Sequence, residues 1–224
     1  MISIIIPVLN EEKSIEDLLK QINRLEGDKE IIVVDGGSKD KTVEIASAYA
    51  EIVKSKKGRA NQMNAGAKKA KGNILWFVHS DSKISSDSLK NIEDAISSGY
   101  IGGGFSLYFY DYDTVFMRYI AWTSNLRAKY LGLYFGDQAI FVRKDIFYYL
   151  QGYPDIEIME DWVLSKKLHK TGKMKMVKSS IGTSARRFKI GGQFRTFLLM
   201  QKIKILFICG MSPNQLSKLY REAR

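Results

Sequence analysis

A histidine and an aspartate follow an uninterrupted apolar stretch. Residues 74–78 read Ile-Leu-Trp-Phe-Val, and His79-Ser80-Asp81 come directly after them. Five apolar residues that end abruptly in polar ones predict a strand buried on both faces. In extended backbone His79 and Asp81 project to the same side, where an imidazole and a carboxylate can hold a divalent metal. The alternative is an ordinary exit from a strand, with Asp81 in a turn.

Acidic residues also stand at two other junctions between predicted elements. Asp35 ends the apolar residues 31–34, and Glu160-Asp161 opens a predicted helix. A general base needs a carboxylate near the reacting hydroxyl, and a metal needs another. With arginines at 59, 186 and 187, these acids suit a phosphate-bearing substrate held with a metal. Taken singly, each acid could instead cap a turn or a helix N-terminus, and the arginine pair could be a solvated surface pair.

Other kinds of site lack their sequence signals. The chain has no Walker-type loop and no dinucleotide fingerprint, and its glycine pair at 36–37 is weak evidence alone. Two histidines and one cysteine do not suggest zinc. A serine nucleophile elbow and a Cys-His pair are also missing.

The elements that must position these residues alternate along the first 82 residues. The predicted strands are residues 2–8, 30–34, 51–54 and 74–78. The connections are of helical length, and Asn10 is expected to cap the first helix. This order predicts a parallel sheet with right-handed crossovers.

The second part of the chain is richer in aromatic residues and glycine. Helices are predicted at residues 88–98, 113–131, from 160 onward, at 193–208 and after a capping box at 212–215. Strands are predicted at residues 105–110, 139–143, 175–178 and 183–188. Because no Pro/Ser-rich linker separates the parts, we expect one compact domain.

Composition and charge narrow the classes of protein. The chain has 224 residues, 45% of them hydrophobic and 26% charged, which is ordinary for a globular domain. One cysteine, Cys209, fits a reducing compartment, so we expect a cytoplasmic protein. Residues 1–8 predict a first strand and not a signal peptide. The net charge of +11 suits a phosphate-rich ligand, a nucleic acid or an anionic membrane surface.

The segment from Phe194 to Ile208 leaves two alternatives open. It is too short and too charged to span a membrane. It could lie at the interface, with its basic residues on anionic headgroups. It could equally be a core helix or a helix buried in a homodimer.

Eight blocks of the sequence together resemble glycosyltransferase family 2. The first two, residues 3–11 (SIIIPVLNE) and 32–42 (IVVDGGSKDKT), are specific as a pair. The others are residues 58–66, 77–81, 136–143, 159–161, 183–187 and 216–221. The later blocks are similar to a bacterial subgroup associated with radical-SAM and selenodomain proteins.

This resemblance implies an α/β fold of the GT-A, Rossmann-like type. The expected architecture is a mixed, mostly parallel sheet flanked by helices, with a C-terminal helical extension. It implies one domain over residues 1–224, made of a nucleotide-binding half (1–82), an acceptor and catalytic half (83–190) and C-terminal helices (191–224).

The resemblance also implies which residues hold a nucleotide-diphosphate sugar. They are Pro7, Leu9, Glu11, Asp35, Arg59, Ser80, Arg186 and Arg187. Glu11 would lie near the ribose and Asp35 would accept a hydrogen bond from the base. Uracil is the base that the resemblance favours. The paired arginines would contact the diphosphate.

Catalysis and metal binding are implied for a second group of residues. Asp161 matches the catalytic base, with Glu160 beside it, and Gly136, Asp137 and Gln138 lie on the acceptor side. Asp81 matches the last acid of the family's Asp-x-Asp metal motif, and His79 replaces the first. The expected cofactor is Mg²⁺ or Mn²⁺, and the expected reaction inverts the anomeric carbon.

Several partners and functions remain open at this point. The acceptor is an unknown hydroxyl compound, free or lipid-linked, and the protein could act on the inner face of a membrane or as a homodimer. An alternative enzyme is a nucleotidyltransferase on a similar sheet. A nucleic-acid-binding module is the non-enzymatic alternative, but the chain shows no recognised DNA or RNA motif and its basic residues are spread along it.

Overall fold

The computed structural model describes residues 1–222 as eight strands and ten α-helices. The strands are β1 (Ile2–Val8), β2 (Lys29–Asp35), β3 (Glu51–Lys54), β4 (Ile74–Phe77), β5 (Lys83–Ile84), β6 (Gly102–Phe109), β7 (Phe141–Arg143) and β8 (Met174–Thr183). The first five helices are α1 (Ile15–Asn23), α2 (Thr42–Ser47), α3 (Arg59–Lys69), α4 (Ser88–Ser97) and α5 (Val115–Leu131). The others are α6 (Lys144–Tyr149), α7 (Glu160–Thr171), α8 (Arg186–Gly191), α9 (Gln193–Ile208) and α10 (Pro213–Glu222).

All eight strands form one mixed sheet in the order β3-β2-β1-β4-β7-β6-β8-β5. The first four strands are parallel, as their helical connections predict. Strand β7 runs antiparallel to β4 and to β6, and β8 is again parallel to β6. The carboxyl ends of β1, β2 and β4 therefore meet at one edge, the usual place for a ligand in such a sheet.

The core lies on both faces of this sheet because successive side chains of β1 point to opposite sides. Ile4 and Ile6 pack with buried residues of α1 and α4, whereas Ile5 packs with buried residues of α3 and α7. Helix α3 approaches closely. A Cβ on its Gly66 would lie 2.4 Å from Ile5 Cγ2, so a larger residue there would push the helix off the sheet.

Strand β6 begins earlier than the sequence predicts, at Gly102 instead of residue 105. A run of glycines predicts a loop, but here the glycines permit close pairing inside the sheet. A Cβ on Gly103 would lie 1.9 Å from the carbonyl oxygen of Lys175 on β8.

Two local predictions are wrong. Asn10 does not cap α1, whose N-cap position is Ser14. Asn10 instead has φ 56°, and its side chain accepts a hydrogen bond from Lys39 N–H at 2.8 Å. The predicted strand at residues 183–188 is not formed, since β8 ends at Thr183 and residues 184–188 lie outside the sheet. The Asp111 carboxylate accepts the Ala185 N–H at 2.7 Å, which ends β8 and turns the chain into α8.

The two C-terminal helices bear on the open alternatives for residues 194–208. The predicted capping box is confirmed, since Ser212 and Gln215 exchange side-chain and backbone hydrogen bonds at the start of α10. Helix α9 is not a core helix, because Ile203 is its one fully buried residue. Within residues 1–222, no helix is both long and apolar enough to cross a membrane.

Candidate active site

The floor of the site is built by the loops that follow β1 and β2. Gln62 on α3 donates from Nε2 to the carbonyl oxygens of Val8 (2.7 Å) and Val34 (2.8 Å), which ties the two strand ends together. Asp35 is buried there. Its carboxylate accepts the backbone N–H groups of Gly37 (3.1 Å) and Ser38 (2.9 Å). Asp35 therefore shapes the turn, and the predicted contact with a base would be an additional role.

The turn after β1 carries the other predicted donor contacts. Pro7 is the sixth residue of β1, and Leu9 is partly buried just beyond the strand. Glu11 is held by its backbone N–H, which donates to Thr42 Oγ1 at 2.8 Å. This bond holds the turn after β1 against the start of α2.

An arginine from the far end of the sequence joins two of the predicted acids. Arg186 Nη2 lies 3.0 Å from Glu11 Oε1, and its Nε lies 3.8 Å from Asp81 Oδ2. The Asp81 side chain is 17% exposed. Burial raises the pKa of Asp81, and the charge of Arg186 opposes that rise. A cation thus sits between two acids at the sheet edge, where a diphosphate could also reach it.

Arg187 and Ser80 take different positions from Arg186. Arg187 Nη1 donates to the Tyr220 hydroxyl at 2.6 Å, which links α8 to α10. Ser80 is buried in the turn after β4. The structure brings Arg186 to the sheet edge and engages Arg187 with the C-terminal helix.

The backbone at His79 and Asp81 is not extended, contrary to the prediction from sequence. Strand β4 ends at Phe77, and Ser82 N–H donates to His79 C=O at 3.1 Å, which makes a turn. The turn separates the surroundings of the two side chains. Asp81 lies by Arg186, and His79 lies by Gly136, where an added Cβ would be 2.7 Å from His79 Nε2.

The imidazole of His79 is buried and its Nε2 has no hydrogen-bond partner. Burial, and then the positive charges of Arg59, Arg187 and Arg186, lower the pKa of His79 well below its ordinary value. The ring is therefore neutral near pH 7. An unpartnered polar atom at this depth marks a place where a ligand or a water could bind.

The acidic pair at the start of α7 faces two directions, as expected for helical neighbours about 100° apart. Asp161 Oδ2 accepts the Gly136 N–H at 2.7 Å. Glu160 Oε1 lies 3.5 Å from Arg59 Nη1, whose side chain is 42% exposed. Burial, then the charge of Asp161, raises the pKa of Glu160 to about 7. The carboxylate of Asp161 is thus positioned beside the predicted acceptor segment.

The acceptor-side residues form a short 3-10 turn, Gly136–Gln138. Gln138 is fully buried. Its amide donates to Phe105 C=O at 3.2 Å and its Oε1 accepts from Arg127 Nη2 at 2.8 Å. Asp137 Oδ1 is buried without a hydrogen-bond partner, and burial raises the pKa of Asp137. The two hydrogen bonds of Gln138 therefore support the turn from within the core.

Sequence reasoning missed several residues that build this site. Asp111 follows the aromatic strand and anchors the start of α8, so an acid at a strand end was a usable signal there. Gln62 lies inside a recognised block, but its double backbone contact had no signal. Lys204 from α9 reaches the same region, where burial, and then the charge of Arg127, lowers its pKa to about 8.

The protein supplies only some of the ligands that a divalent cation needs. Within residues 1–222, no group of three or more His, Cys, Asp or Glu side chains is placed to hold a metal. Mg²⁺ and similar ions are often held by one or two carboxylates together with substrate phosphates and water. Asp81, partly exposed at the tip of β4, fits such a site.

Replacing Glu160 with glutamine should change how stability depends on pH. The folded pKa of about 7 lies above the ordinary 4.5, so the unfolded chain loses this proton first. Glu160 therefore lowers the free energy of unfolding as pH rises from about 4.5 to about 7. We expect Glu160→Gln to remove that decline in urea titrations at several pH values. The exposed Glu44 on α2 offers a control, Glu44→Gln, and identical pH profiles for both variants would contradict the assignment.

Known proteins are similar to this chain over its first two thirds. The model of glycosyl transferase family 2 matches residues 3–152. The sequence is 32% identical over 102 residues to "Uncharacterized glycosyltransferase EpsJ" of Bacillus subtilis, covering 42% of this chain and 30% of EpsJ. It is 31% identical over 100 residues to the poly(ribitol-phosphate) beta-N-acetylglucosaminyltransferase TarS of Staphylococcus aureus, covering 40% of this chain and 18% of TarS. These matches span less than a third of either relative.

Solved structures show the same fold. The mannosyltransferase PcManGT of Pyrobaculum calidifontis, in complex with GDP-Man and Mn²⁺, superposes with a TM-score of 0.70. The alignment is 17% identical and covers 99% of this chain and 68% of that one. Residues 1–349 of S. aureus TarS with UDP give a TM-score of 0.63 at 19% identity, covering 80% of this chain and 59% of that one. The GT-A architecture expected from sequence is confirmed.

Proposed function

The chain belongs to glycosyl transferase family 2, and we propose that it moves a sugar from a nucleotide-diphosphate sugar to the hydroxyl of an acceptor. The observation that supports this most is the cluster at the sheet edge. Arg186 joins Glu11 and Asp81. His79, two residues before Asp81, lies beside Gly136, whose N–H donates to Asp161. Cations for a diphosphate and a carboxylate for a hydroxyl are thus supplied side by side.

Residues 1–82 would bind the nucleotide, and UDP is the preferred carrier. The turn containing Pro7, Leu9 and Glu11 would line it, with Asp35 accepting from the base. Arg59 and Arg186 would face its phosphates. The structures with bound UDP and GDP-Man support a nucleotide on this fold.

Residues 83–190 would bind the acceptor and carry the reaction, with 191–222 closing the site from the C-terminal side. Asp161 would take the proton of the acceptor hydroxyl while the hydroxyl oxygen bonds to the anomeric carbon of the donor. At the same time the bond from that carbon to the diphosphate oxygen breaks, which inverts the carbon. The Gly136 N–H would orient Asp161, and Glu160 would support it.

Negative charge that develops on the departing diphosphate needs compensation. Arg186 can provide it from its position beside Asp81. Asp81, with His79 as the second candidate, would hold Mg²⁺ or Mn²⁺. Such an ion, when bound, neutralises phosphate charge as a Lewis acid. The Mn²⁺ in the PcManGT complex supports this proposal.

The alternative enzyme is a nucleotidyltransferase. It would also use a strand-tip acid and a metal, but it would release pyrophosphate. The match of residues 3–152 to glycosyl transferase family 2 favours sugar transfer. We also propose that the protein is cytoplasmic, because its single cysteine fits a reducing compartment. Within the cytoplasm, the proposed place of action is the inner face of a membrane.

A thermal-shift panel of nucleoside diphosphates, each with and without Mn²⁺, tests donor binding. A ligand that binds the folded state raises stability by RT ln(1 + [L]/Kd), about 2.7 kcal/mol at 100 times Kd. We expect UDP with Mn²⁺ to give the largest shift. No shift with any nucleoside diphosphate would contradict the proposal.

Asp35→Ala should weaken both folding and nucleotide binding. The variant leaves the N–H groups of Gly37 and Ser38 without their acceptor, and it removes the group proposed to bind the base. We expect losses of ~1–3 kcal/mol in each quantity, the usual range for a hydrogen bond with a charged partner. Urea unfolding and UDP titration measure them separately. A loss of stability with unchanged UDP affinity would limit Asp35 to its turn.

A further inference from the structure

Helix α9 exposes an apolar stripe. Phe194, Leu198, Ile205 and Ile208 fall at i, i+4, i+11 and i+14, which is one side of a helix. They are 60%, 65%, 59% and 66% exposed. Arg195 and Lys202 are exposed beside this stripe. Nothing in residues 1–222 covers it.

The stripe continues onto two neighbouring helices. On α5, Val115, Tyr119 and Trp122 are exposed at i, i+4 and i+7. Phe116 connects the helices, since its ring centroid lies 4.3 Å from that of Phe194 and 6.2 Å from that of Tyr119. Ile190, near the end of α8 and four residues before Phe194, is 86% exposed. We call these exposed apolar residues of α5, α8 and α9 the apolar face.

The part of the chain that carries α8 and α9 has no acidic residue. Between Asp161 and Glu222, residues 162–221 contain 14 lysines and arginines and no aspartate or glutamate. The remainder has 21 basic residues against 24 acidic ones. The whole net positive charge of +11 therefore originates in this segment, although basic residues occur throughout the chain.

We propose that the apolar face docks on an anionic lipid bilayer. Aromatic and aliphatic side chains flanked by lysine and arginine are the features that bind a helix to a membrane interface. A second copy of this chain is a poorer occupant, because a dimer through this face would bring two acid-free basic segments together. The inference builds on the proposed sugar transfer and adds a membrane-borne acceptor as its substrate class.

The docked orientation would place the mouth of the site at the bilayer. Arg186 and Ile190 are four residues apart on α8, so they share one side of that helix. Arg186 contacts Glu11 and Asp81 in the site, and Ile190, one turn further along the same side, is exposed to solvent. An acceptor hydroxyl carried just above the lipid surface would thus approach along α8.

Vesicle flotation tests the apolar part of the proposal. At low salt the parent protein should float with vesicles of phosphatidylglycerol and phosphatidylcholine and remain at the bottom with phosphatidylcholine alone. Phe194→Ser with Leu198→Ser should reduce partitioning on the order of tenfold or more, because two large apolar groups no longer leave water. Tyr149→Ser on α6, 76% exposed and outside the apolar face, should float like the parent.

A charge-reversal pair tests the basic part. Each basic residue near an anionic surface strengthens binding about fivefold. Arg195→Glu with Lys202→Glu should therefore abolish most flotation at low salt, whereas Lys68→Glu, an exposed residue on α3, should not. High salt should weaken parental binding for the same reason.

UDP thermal shifts without vesicles are measured for every variant, so that membrane docking and nucleotide binding are judged independently. Retained UDP binding with lost flotation supports docking. Parental protein that stays at the bottom with anionic vesicles overturns it, even if UDP binds. Equal flotation of the Phe194/Leu198 variant also overturns it. A dimer in sedimentation that this variant dissociates, without vesicle binding by the parent, would assign the apolar face to a second copy.

Discussion

Asp161→Asn is expected to cut turnover by ~100-fold or more while leaving donor binding nearly unchanged. Asparagine keeps the shape of the side chain and can still accept the Gly136 N–H, but it cannot take a proton. Asp161 lies in the first turn of α7, where the helix dipole favours a negative charge. The loss should therefore appear in kcat, with KM for the donor nearly constant.

Glu160→Gln is the matched control for this prediction. Glu160 is also buried and lies in the same helix turn, but it faces Arg59. Its loss should cost less turnover than the loss of Asp161. An Asp161→Asn enzyme that works at the parental rate would show that another group accepts the proton.

Asp81→Ala is expected to abolish metal-dependent binding of the nucleotide sugar and to leave the fold intact. The side chain is partly exposed, and Arg186 keeps its bond to Glu11 without it. Isothermal titration with UDP in the presence and absence of Mn²⁺ measures the effect. Unchanged Mn²⁺-dependent affinity would remove Asp81 from the site.

His79→Asp is the companion variant. If His79 replaces the first acid of the metal motif, aspartate at this position should keep or strengthen Mn²⁺-dependent binding of UDP. The competing role for the imidazole is contact with the substrate, through the unpartnered Nε2 beside Gly136. In that case His79→Asp would reduce turnover without strengthening metal-dependent binding.

The fold and the edge that carries the site were predictable because they follow from local patterns. Four apolar runs joined by helical lengths predict parallel strands, and parallel strands end at one edge. Asp35 and Asp81 had to lie at the same edge of the sheet once β1, β2 and β4 were adjacent. The acidic pair at 160–161 predicted the start of a helix, and α7 begins at Glu160.

What remained unpredictable depends on contacts between distant residues. The surroundings of His79 are determined by Gly136, 57 positions later, and no local pattern reveals that contact. Residues 183–188 read as a strand because nothing nearby shows that Asp111 will hold Ala185. The glycines at 102–104 were left out of the predicted strand because their partner, Lys175, lies far along the chain. In each case tertiary contact overrides local propensity.

Phosphorus NMR of the donor reaction tests the central claim most directly. The enzyme is incubated with a UDP-sugar and Mn²⁺, first with water and then with candidate hydroxyl acceptors, and separately with UTP and a sugar phosphate, and the products are followed over time. Sugar transfer predicts release of UDP that depends on the enzyme and is lost in Asp161→Asn. Enzyme-dependent formation of pyrophosphate from UTP and a sugar phosphate, with no UDP released from any UDP-sugar, would contradict sugar transfer and assign the site to nucleotidyl transfer.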